Sequence, residues 1–413
     1  MVSLYDGCKS FNPAQVVHAR RVEDISRAIR AASSSGFALR PMGLGYSWSE
    51  HSFTRGVSLH LDAMRNFCTV DRARKTVTVD AGVRMGDVTR ALALHGLSLP
   101  SLAFLPEMTA GGAVATATHG TNCRSGTMSD FVNSIDLVLA SGEQKQFNAA
   151  SVPEDDMRAA RVAVGMLGVM TRIEFQAIDM PWVRSARFEL DLDVFMRDRL
   201  AILGRYDHVW AHWTLGRNIV RIDCLETRTK PADGFYPYVN YRNASWVERP
   251  RSPIKDVFLP AWRKLHDVIR PRLSVTRPRS KTVARNSMQY AVPTYRWEAV
   301  VDTIANSEFA KANAGQIMEM KFVQGSDRSF LGPNAGQNAV CFNVYWNVPR
   351  EELTSRLIPF EELMQGFDAR PHWGKDHTTP TVAYMRKAYP QWQRFETVRK
   401  KYDKDDVFLT IKP

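Results

Sequence analysis

The chain has 413 residues, 44% of them hydrophobic and 24% charged, which is the composition of a folded protein long enough for two or more cores. No apolar run reaches the length of a membrane span, and the N-terminus lacks the basic-then-apolar order of a secretory signal, so a cytoplasmic protein is expected. A net charge of +12 favours anionic partners without choosing between nucleic acid, an acidic protein and an anionic cofactor or substrate.

Over the first 178 residues strand and helix signals alternate. Val22, Ile25, Ile29 and Ala32 fall at helical spacing and lead into the strand-like 38–41. Residues 57–61 and 76–79 alternate with period two and predict strands. Val83 to His95 has the pattern of an amphipathic helix that Gly96 terminates. Ile135 to Leu139 predicts a strand entering a hairpin turn at Ser141-Gly142. Met157 to Val164 is predicted helical, 165–168 a turn, and Val169 to Phe175 a strand.

After Pro181 the texture changes, with 182–360 rich in Trp, Tyr and Arg. Strands are predicted at 209–215, 219–225 and 317–323, and a proline-broken stretch occupies 231–280. Basic residues cluster at 263–285, where a nucleic-acid contact and a solvated loop are both conceivable. That cluster has no aromatic interleaving and no reading helix, so no nucleic-acid partner is expected. From Gly366 the chain returns to helical and turn character. The five cysteines are scattered and odd in number, which fits reduced thiols, and neither they nor the histidines have metal-ligand spacing. No metal is expected.

Two glycine-rich stretches carry the first functional signal. Arg40-Pro-Met-Gly-Leu-Gly-Tyr-Ser47 and Thr109-Ala-Gly-Gly-Ala-Val-Ala-Thr-Ala-Thr-His-Gly120 lie about 65 residues apart. Glycine lets backbone N–H groups approach a phosphate with no Cβ in the way. Each is also compatible with an ordinary turn, and Gly43-Leu-Gly45 lacks the third glycine of the nicotinamide fingerprint. As a pair they could hold the two ends of a dinucleotide.

Three further stretches could carry chemistry. In Ile317-Met-Glu-Met-Lys-Phe-Val323 alternation puts Glu319 and Lys321 on one face and Met318, Met320 and Phe322 on the other. It predicts a carboxylate and an ammonium about 6–7 Å apart along the strand. An exposed ion pair would look the same in sequence. Phe342 to Asn347 places Asn343, Tyr345 and Asn347 on one face as candidate hydrogen-bonding groups. Pro371-His-Trp-Gly-Lys375 concentrates a His, a Trp and a Lys around a Gly; it could aim a charge at a ring system or be a surface turn.

Together these stretches resemble the sugar-lactone and alditol oxidases (L-gulonolactone and D-arabinonolactone oxidase-like), within the vanillyl-alcohol-oxidase/p-cresol-methylhydroxylase class of FAD enzymes. The resemblance covers nearly the whole chain. It rests on 41–47, 109–120, Gly165-Met-Leu-Gly-Val-Met-Thr171, Met288-Gln-Tyr-Ala-Val-Pro293, Arg370-Pro-His-Trp-Gly-Lys375, Tyr389-Pro-Gln-Trp-Gln-Arg-Phe395 and Asp406-Val-Phe-Leu409. It implies an α+β fold: a two-subdomain FAD-binding domain over 1–178, a substrate-binding domain with an antiparallel sheet over 179–365, and a segment 366–413 returning to the FAD domain.

The resemblance further implies that Pro41, Met42, Gly43, Leu44, Gly45, Tyr46 and Ser47 wrap the FAD pyrophosphate, continued by Thr109, Gly112, Thr116, Thr118 and His119. Val169 would meet the adenine end through its backbone, with His372 and Lys375 also at the cofactor. Glu319, Lys321 and Lys375 would be the catalytic group, and Phe104, Asn343 and Tyr345 would join Glu319 and Lys321 around the substrate. Hydride transfer to flavin N5 leaves negative charge near N1 and the C2 carbonyl, which a nearby Lys stabilises.

Three positions depart from the family pattern. Tyr46 stands where many relatives carry a His bonded to the flavin 8α-methyl, so FAD is expected to be non-covalent. The Glu-x-Arg strand reads Glu319-Met-Lys321, a point charge in place of a fork. Phe104 stands where polyol-oxidising members place a small polar residue. The expected activity is FAD-dependent oxidation of a CH–OH group in an aldonolactone, alditol or sugar-like alcohol, with molecular oxygen or another acceptor reoxidising the flavin. The alternatives are a less polar natural-product alcohol or amine as substrate, and a flavin-binding protein without turnover.

Overall fold

The computed structural model describes residues 1–4, 9–102, 104–238, 283–378 and 381–409. The basic residues of 263–281 lie outside this set, as does Cys8; Cys68, Cys123, Cys224 and Cys341 are free thiols. No helix among the described residues is long and apolar enough to cross a membrane.

The N-terminal part of this α+β chain contains two main sheets. The first is parallel and three-stranded, in the order Gln15–His18, Val57–His60, Leu39–Met42. Helix Val22–Ser34 covers it as its spacing predicts, burying Ile25, Ile29 and Ala32 against Leu39, Val57 and Leu59. The second is antiparallel and five-stranded, in the order Gln144–Asn148, Val132–Val138, Val169–Gln176, Thr76–Asp80, Cys68–Asp71. Helix Met85–Leu94 packs Met85, Val88 and Leu92 into the same core and stops before Gly96.

Two local expectations need correction. The helix expected at 157–164 runs over Glu154–Arg161, because Pro153 followed by three acidic residues makes an earlier N-terminus. Its expected end is instead a turn, with Val164 and Gly165 both at positive φ (49° and 72°). The glycine-rich stretch from Thr109 is not all turn: Ala110–Ala115 is a short helix, and the Thr109 side chain caps it by accepting from Gly112 N–H.

Beyond residue 181 an eight-stranded antiparallel sheet dominates. Its order is Tyr236–Pro237, Trp182–Leu190, Val220–Arg228, His208–Thr214, Ile317–Val323, Ala339–Pro349, Val283–Pro293, Arg370–Pro371. One face is apolar. Met288, Tyr290, Met318, Met320 and Val344 are buried there against Phe195, Trp297 and Phe360 from the helices Leu192–Arg205, Trp297–Ala305 and Arg350–Gln365. Period-two alternation sends the intervening residues to the opposite face, which carries the polar groups described below.

The last residues run back along the N-terminal half. Helix Trp392–Tyr402 packs on Glu154–Arg161, with Lys401 paired to Asp156 at 2.6 Å. Tyr389, Trp392 and Phe395 enter the core of the five-stranded sheet, and Leu39 N–H donates to Val407 C=O at 2.8 Å.

Candidate active site

The two glycine-rich stretches converge on one cavity, a cleft open to solvent that encloses about 940 Å³ when its mouth is counted. Pro41, Met42, Gly43, Leu44, Gly45, Tyr46 and Ser47 all line it, and Thr109, Gly112 and Thr116 face them. The two stretches touch: a Cβ on Gly43 would lie 2.3 Å from Thr109 Oγ1, so only glycine permits this approach. Gly165 has positive φ, and a Cβ there would lie 3.0 Å from Pro41. Six glycines in the lining (Gly43, Gly45, Gly111, Gly112, Gly165 and Gly168) leave backbone there without a Cβ, which suits a pyrophosphate.

Arg40 forms part of the floor. Its buried guanidinium donates to the carbonyls of His51 (2.8 Å), Gly165 (3.2 Å), Val164 (2.6 Å) and Phe408, so one side chain holds three distant segments together. Burial lowers its pKa to about 9, with Asp403 opposing, and it adds a positive charge beside the cavity. Val169 does not line the cavity. Its side chain is buried in the core with Val138, and its neighbours Gly168 and Met170 form that part of the wall.

Beyond Ser47 the cavity loop is stitched to the Pro-His-Trp-Gly-Lys segment. Trp48 N–H donates to Gly374 C=O at 3.0 Å, and Ser49 Oγ donates to Trp373 C=O at 2.7 Å. Trp373 is fully buried, so this segment is not a surface turn. The Lys375 ammonium then sits 4.2 Å from the Trp48 ring centroid and 5.2 Å from that of Tyr345, bridging the loop and the large sheet.

Strand register builds the rest. Gln289, Asn343, Glu319 and His212 are successive cross-strand partners on four neighbouring strands and form one polar row. Ser287 Oγ donates to Asn343 Oδ1 at 2.8 Å, and Asn343 Nδ2 donates to Glu319 Oε2 at 3.2 Å. Lys321 Nζ reaches the same oxygen at 3.0 Å. The expected carboxylate–ammonium gap of about 6–7 Å is thus replaced by a direct ion pair, because both side chains lean together along the strand. The Lys321 ammonium also lies 4.8 Å from the Trp210 ring, and Phe104 meets Trp210 edge-on at 5.6 Å.

Thr118, His119 and His372 stand outside the cavity lining, near this row. Thr118 Oγ1 lies 3.5 Å from Thr116 Oγ1. His119 Nδ1 is 3.0 Å from Gly120 C=O and Nε2 is 2.7 Å from Gln289 Nε2. That pair of partners assigns the proton to Nδ1 and makes Nε2 the acceptor. Gln289 C=O also accepts from His372 N–H at 2.9 Å, and the two imidazoles are 5.7 Å apart.

The two lysines differ electrostatically. Burial and, after it, the Lys321 charge lower Lys375 to about 7 against the opposing pull of Glu319 and Asp376. Burial also pulls on Lys321, but Glu319, Tyr345 and the Glu319 hydrogen bond outweigh it, so Lys321 is raised and stays charged. His119 is lowered to about 4, first by burial and then by Lys321; His372 is lowered well below its ordinary value by burial and His119.

Residues 13–148 match the FAD binding domain family, and residues 277–411 match the D-arabinono-1,4-lactone oxidase family. Full-length similarity extends to an L-gulono-1,4-lactone dehydrogenase of Mycobacterium tuberculosis, 27% identical over 96% of this chain and 94% of the relative. It also extends to an alditol oxidase of Streptomyces (26%, covering 98% and 96%) and to L-gulonolactone oxidase of Bos taurus (25%, covering 99% and 98%). The two family models and the full-length relatives together support the sugar-lactone and alditol oxidase family. The chain is an FAD-dependent oxidoreductase, and a flavin-binding role without turnover is not favoured.

Of the residues singled out in the sequence, 41–47, Thr109, Gly112 and Thr116 meet in the cavity, whereas Glu319, Lys321, Asn343, Tyr345 and Lys375 form a separate cluster on the sheet, outside the cavity lining and joined to the cavity loop where Lys375 meets Trp48. Sequence reasoning assigned no role to Arg40, Trp210, His212, Ser287 or Gln289. Ser287 and Gln289 had a signal: they alternate with the buried Met288 and Tyr290.

Proposed function

We propose that this enzyme oxidises a CH–OH group of an aldonolactone or alditol, with Glu319, Lys321 and Lys375 as the groups that handle the substrate. FAD in the 41–47/109–116 cavity would supply the hydride acceptor. The glycine approach at Gly43 and the charge of Arg40 fit its pyrophosphate. Tyr46 offers no imidazole for an 8α bond, so FAD is held non-covalently.

The observation that carries this reading is Lys375 placed between Trp48 of the cavity loop and Tyr345 of the sheet. Lys375, close to neutral, accepts the hydroxyl proton as the carbon gives up its hydride. Lys321 keeps its charge and holds Glu319 by Oε2, and Glu319 grips a neighbouring hydroxyl. His119, neutral with Nδ1 protonated, fixes the Gln289 amide. Phe104 and Trp210 form an apolar wall beside Lys321.

The less polar alcohol or amine is not favoured, since the full-length relatives carry lactone and alditol names. Those relatives include oxidases and a dehydrogenase, and molecular oxygen or another acceptor takes the electrons onward. The proposal includes a cytoplasmic location, which the free cysteines fit, and no nucleic-acid partner. Anaerobic addition of an aldonolactone and alditol panel should bleach the flavin absorbance. A panel that leaves it unchanged overturns the substrate assignment.

A further inference from the structure

A second group of chemically capable side chains lies one strand away from the cavity loop. His18 and His60 end the parallel strands Gln15–His18 and Val57–His60, and they are register partners. Parallel pairing in register puts both imidazoles on one face of the sheet, and the carboxylate of Asp62 joins them there. His18 Nδ1 is 3.4 Å from Asp62 Oδ1, and the two rings are 4.8 Å apart. One ligand atom from each residue can be chosen so that all three lie within 4.8 Å of one another.

We propose that His18, His60 and Asp62 form a binding site for a divalent transition-metal ion of the zinc type. Two imidazoles and one carboxylate are a borderline donor set, which selects zinc and its neighbours over magnesium or calcium. Ligand atoms in a tetrahedral zinc site stand about 3.3 Å apart, a spacing that follows from bonds of about 2.0–2.1 Å. The His18–Asp62 pair already has it, and His60 needs only a small closure. The His18 side chain is 59% exposed, which gives it freedom to close and leaves a solvent-facing position for a water as fourth ligand. The buried Ser58 hydroxyl lies 3.0 Å from His60 Nε2 and orients that ring, the kind of outer support that metal-ligating histidines use.

The position suggests what such an ion does. Met42 is the register partner of His60 and is followed directly by the cavity loop. Leu61, between the two ligands on its strand, lines the cavity and donates its N–H to Met42 C=O at 3.0 Å. An ion gripping both strand ends would brace the sheet where that loop departs. Its role is structural, with no redox or hydride step.

The residues are 42 positions apart at their widest step and show no ligand motif, so spacing along the chain could not reveal them; strand pairing assembles them. The test titrates Zn²⁺ alone into tag-free, chelator-dialysed holoenzyme by calorimetry, with a melting curve alongside. One equivalent should bind and raise Tm, and Mg²⁺ at the same concentration should do neither. His18→Ala, on an exposed side chain, and Asp62→Asn should each weaken Zn²⁺ binding by about tenfold or more and abolish the Tm shift. Absence of Zn²⁺ binding by the wild type, or binding unchanged in both variants, overturns the site. Binding without a Tm shift overturns the bracing role.

Discussion

Lys375→Ala should slow flavin reduction by about a hundredfold and flatten its pH dependence. With a pKa near 7, about half of Lys375 is unprotonated at pH 7, against a small fraction for an ordinary lysine. A lowered lysine pKa favours the neutral amine, which is the form that accepts a proton. Below pH 7 the amine is protonated and the reduction rate should fall about tenfold per unit; above pH 8 it should be level. General-base assistance contributes about 10²–10⁴-fold, or about 3–5 kcal/mol of barrier. Anaerobic stopped-flow at the flavin absorbance reads the reduction step apart from reoxidation.

A second variant checks the cause. Lys321→Gln removes a charge that pushes Lys375 down, so the wild-type ascending limb should move to higher pH. A Lys375→Ala enzyme with wild-type rate and profile would show that this residue packs against Trp48 and Tyr345 without entering the chemistry. A limb unmoved in Lys321→Gln would assign it to another group.

Three other outcomes are expected. Acid precipitation should release FAD into the supernatant, because Tyr46 cannot form the histidyl link; colour retained in the washed pellet would reveal another covalent anchor. Gly43→Ala puts a methyl 2.3 Å from Thr109 Oγ1 and disrupts the cap of helix Ala110–Ala115, a cost of about 1 kcal/mol, so purified protein should carry less FAD; full FAD content with unchanged Tm contradicts this. Phe104→Ser should raise kcat/KM for small alditols, because an unpaired buried hydroxyl costs about 1–3 kcal/mol beside a phenyl ring; efficient alditol turnover by wild type that the serine variant loses would place Phe104 away from the substrate.

What the sequence made legible follows the range of the forces involved. Gly43 and Gly45 could be read because the need for bare backbone is local, and Glu319 and Lys321 because strand alternation is local too. Val169 could not be placed: its strand was legible, but which of three consecutive residues meets the cavity depends on how that strand lies against 41–47. Arg40 was invisible as an anchor, since its acceptors come from residues 51, 164–165 and 408. His212 and Gln289 join Glu319 through register across four strands, and register is fixed by the whole apolar face of the sheet. The helix at Glu154–Arg161 is a different kind of miss, because Pro153 and the acidic triplet were local signals of its start.

The Glu319-Met-Lys321 strand illustrates why a departure from a family pattern has to be weighed in place. In sequence, losing the guanidinium fork argues for a weaker grip on hydroxyl groups. In the folded sheet Lys321 and Asn343 both bond the same carboxylate oxygen, Oε2. The other oxygen, Oε1, has no hydrogen-bond partner among the described residues. A bidentate arginine would tend to occupy both oxygens, whereas a point charge holds one and leaves the second to accept from a substrate hydroxyl. The buried carboxylate is paired with its lysine and oriented by its amide through one oxygen, which leaves the other to accept. On that geometry the Lys for Arg exchange is compatible with a hydroxyl-rich substrate, and Phe104 is the residue left to set how polar that substrate is.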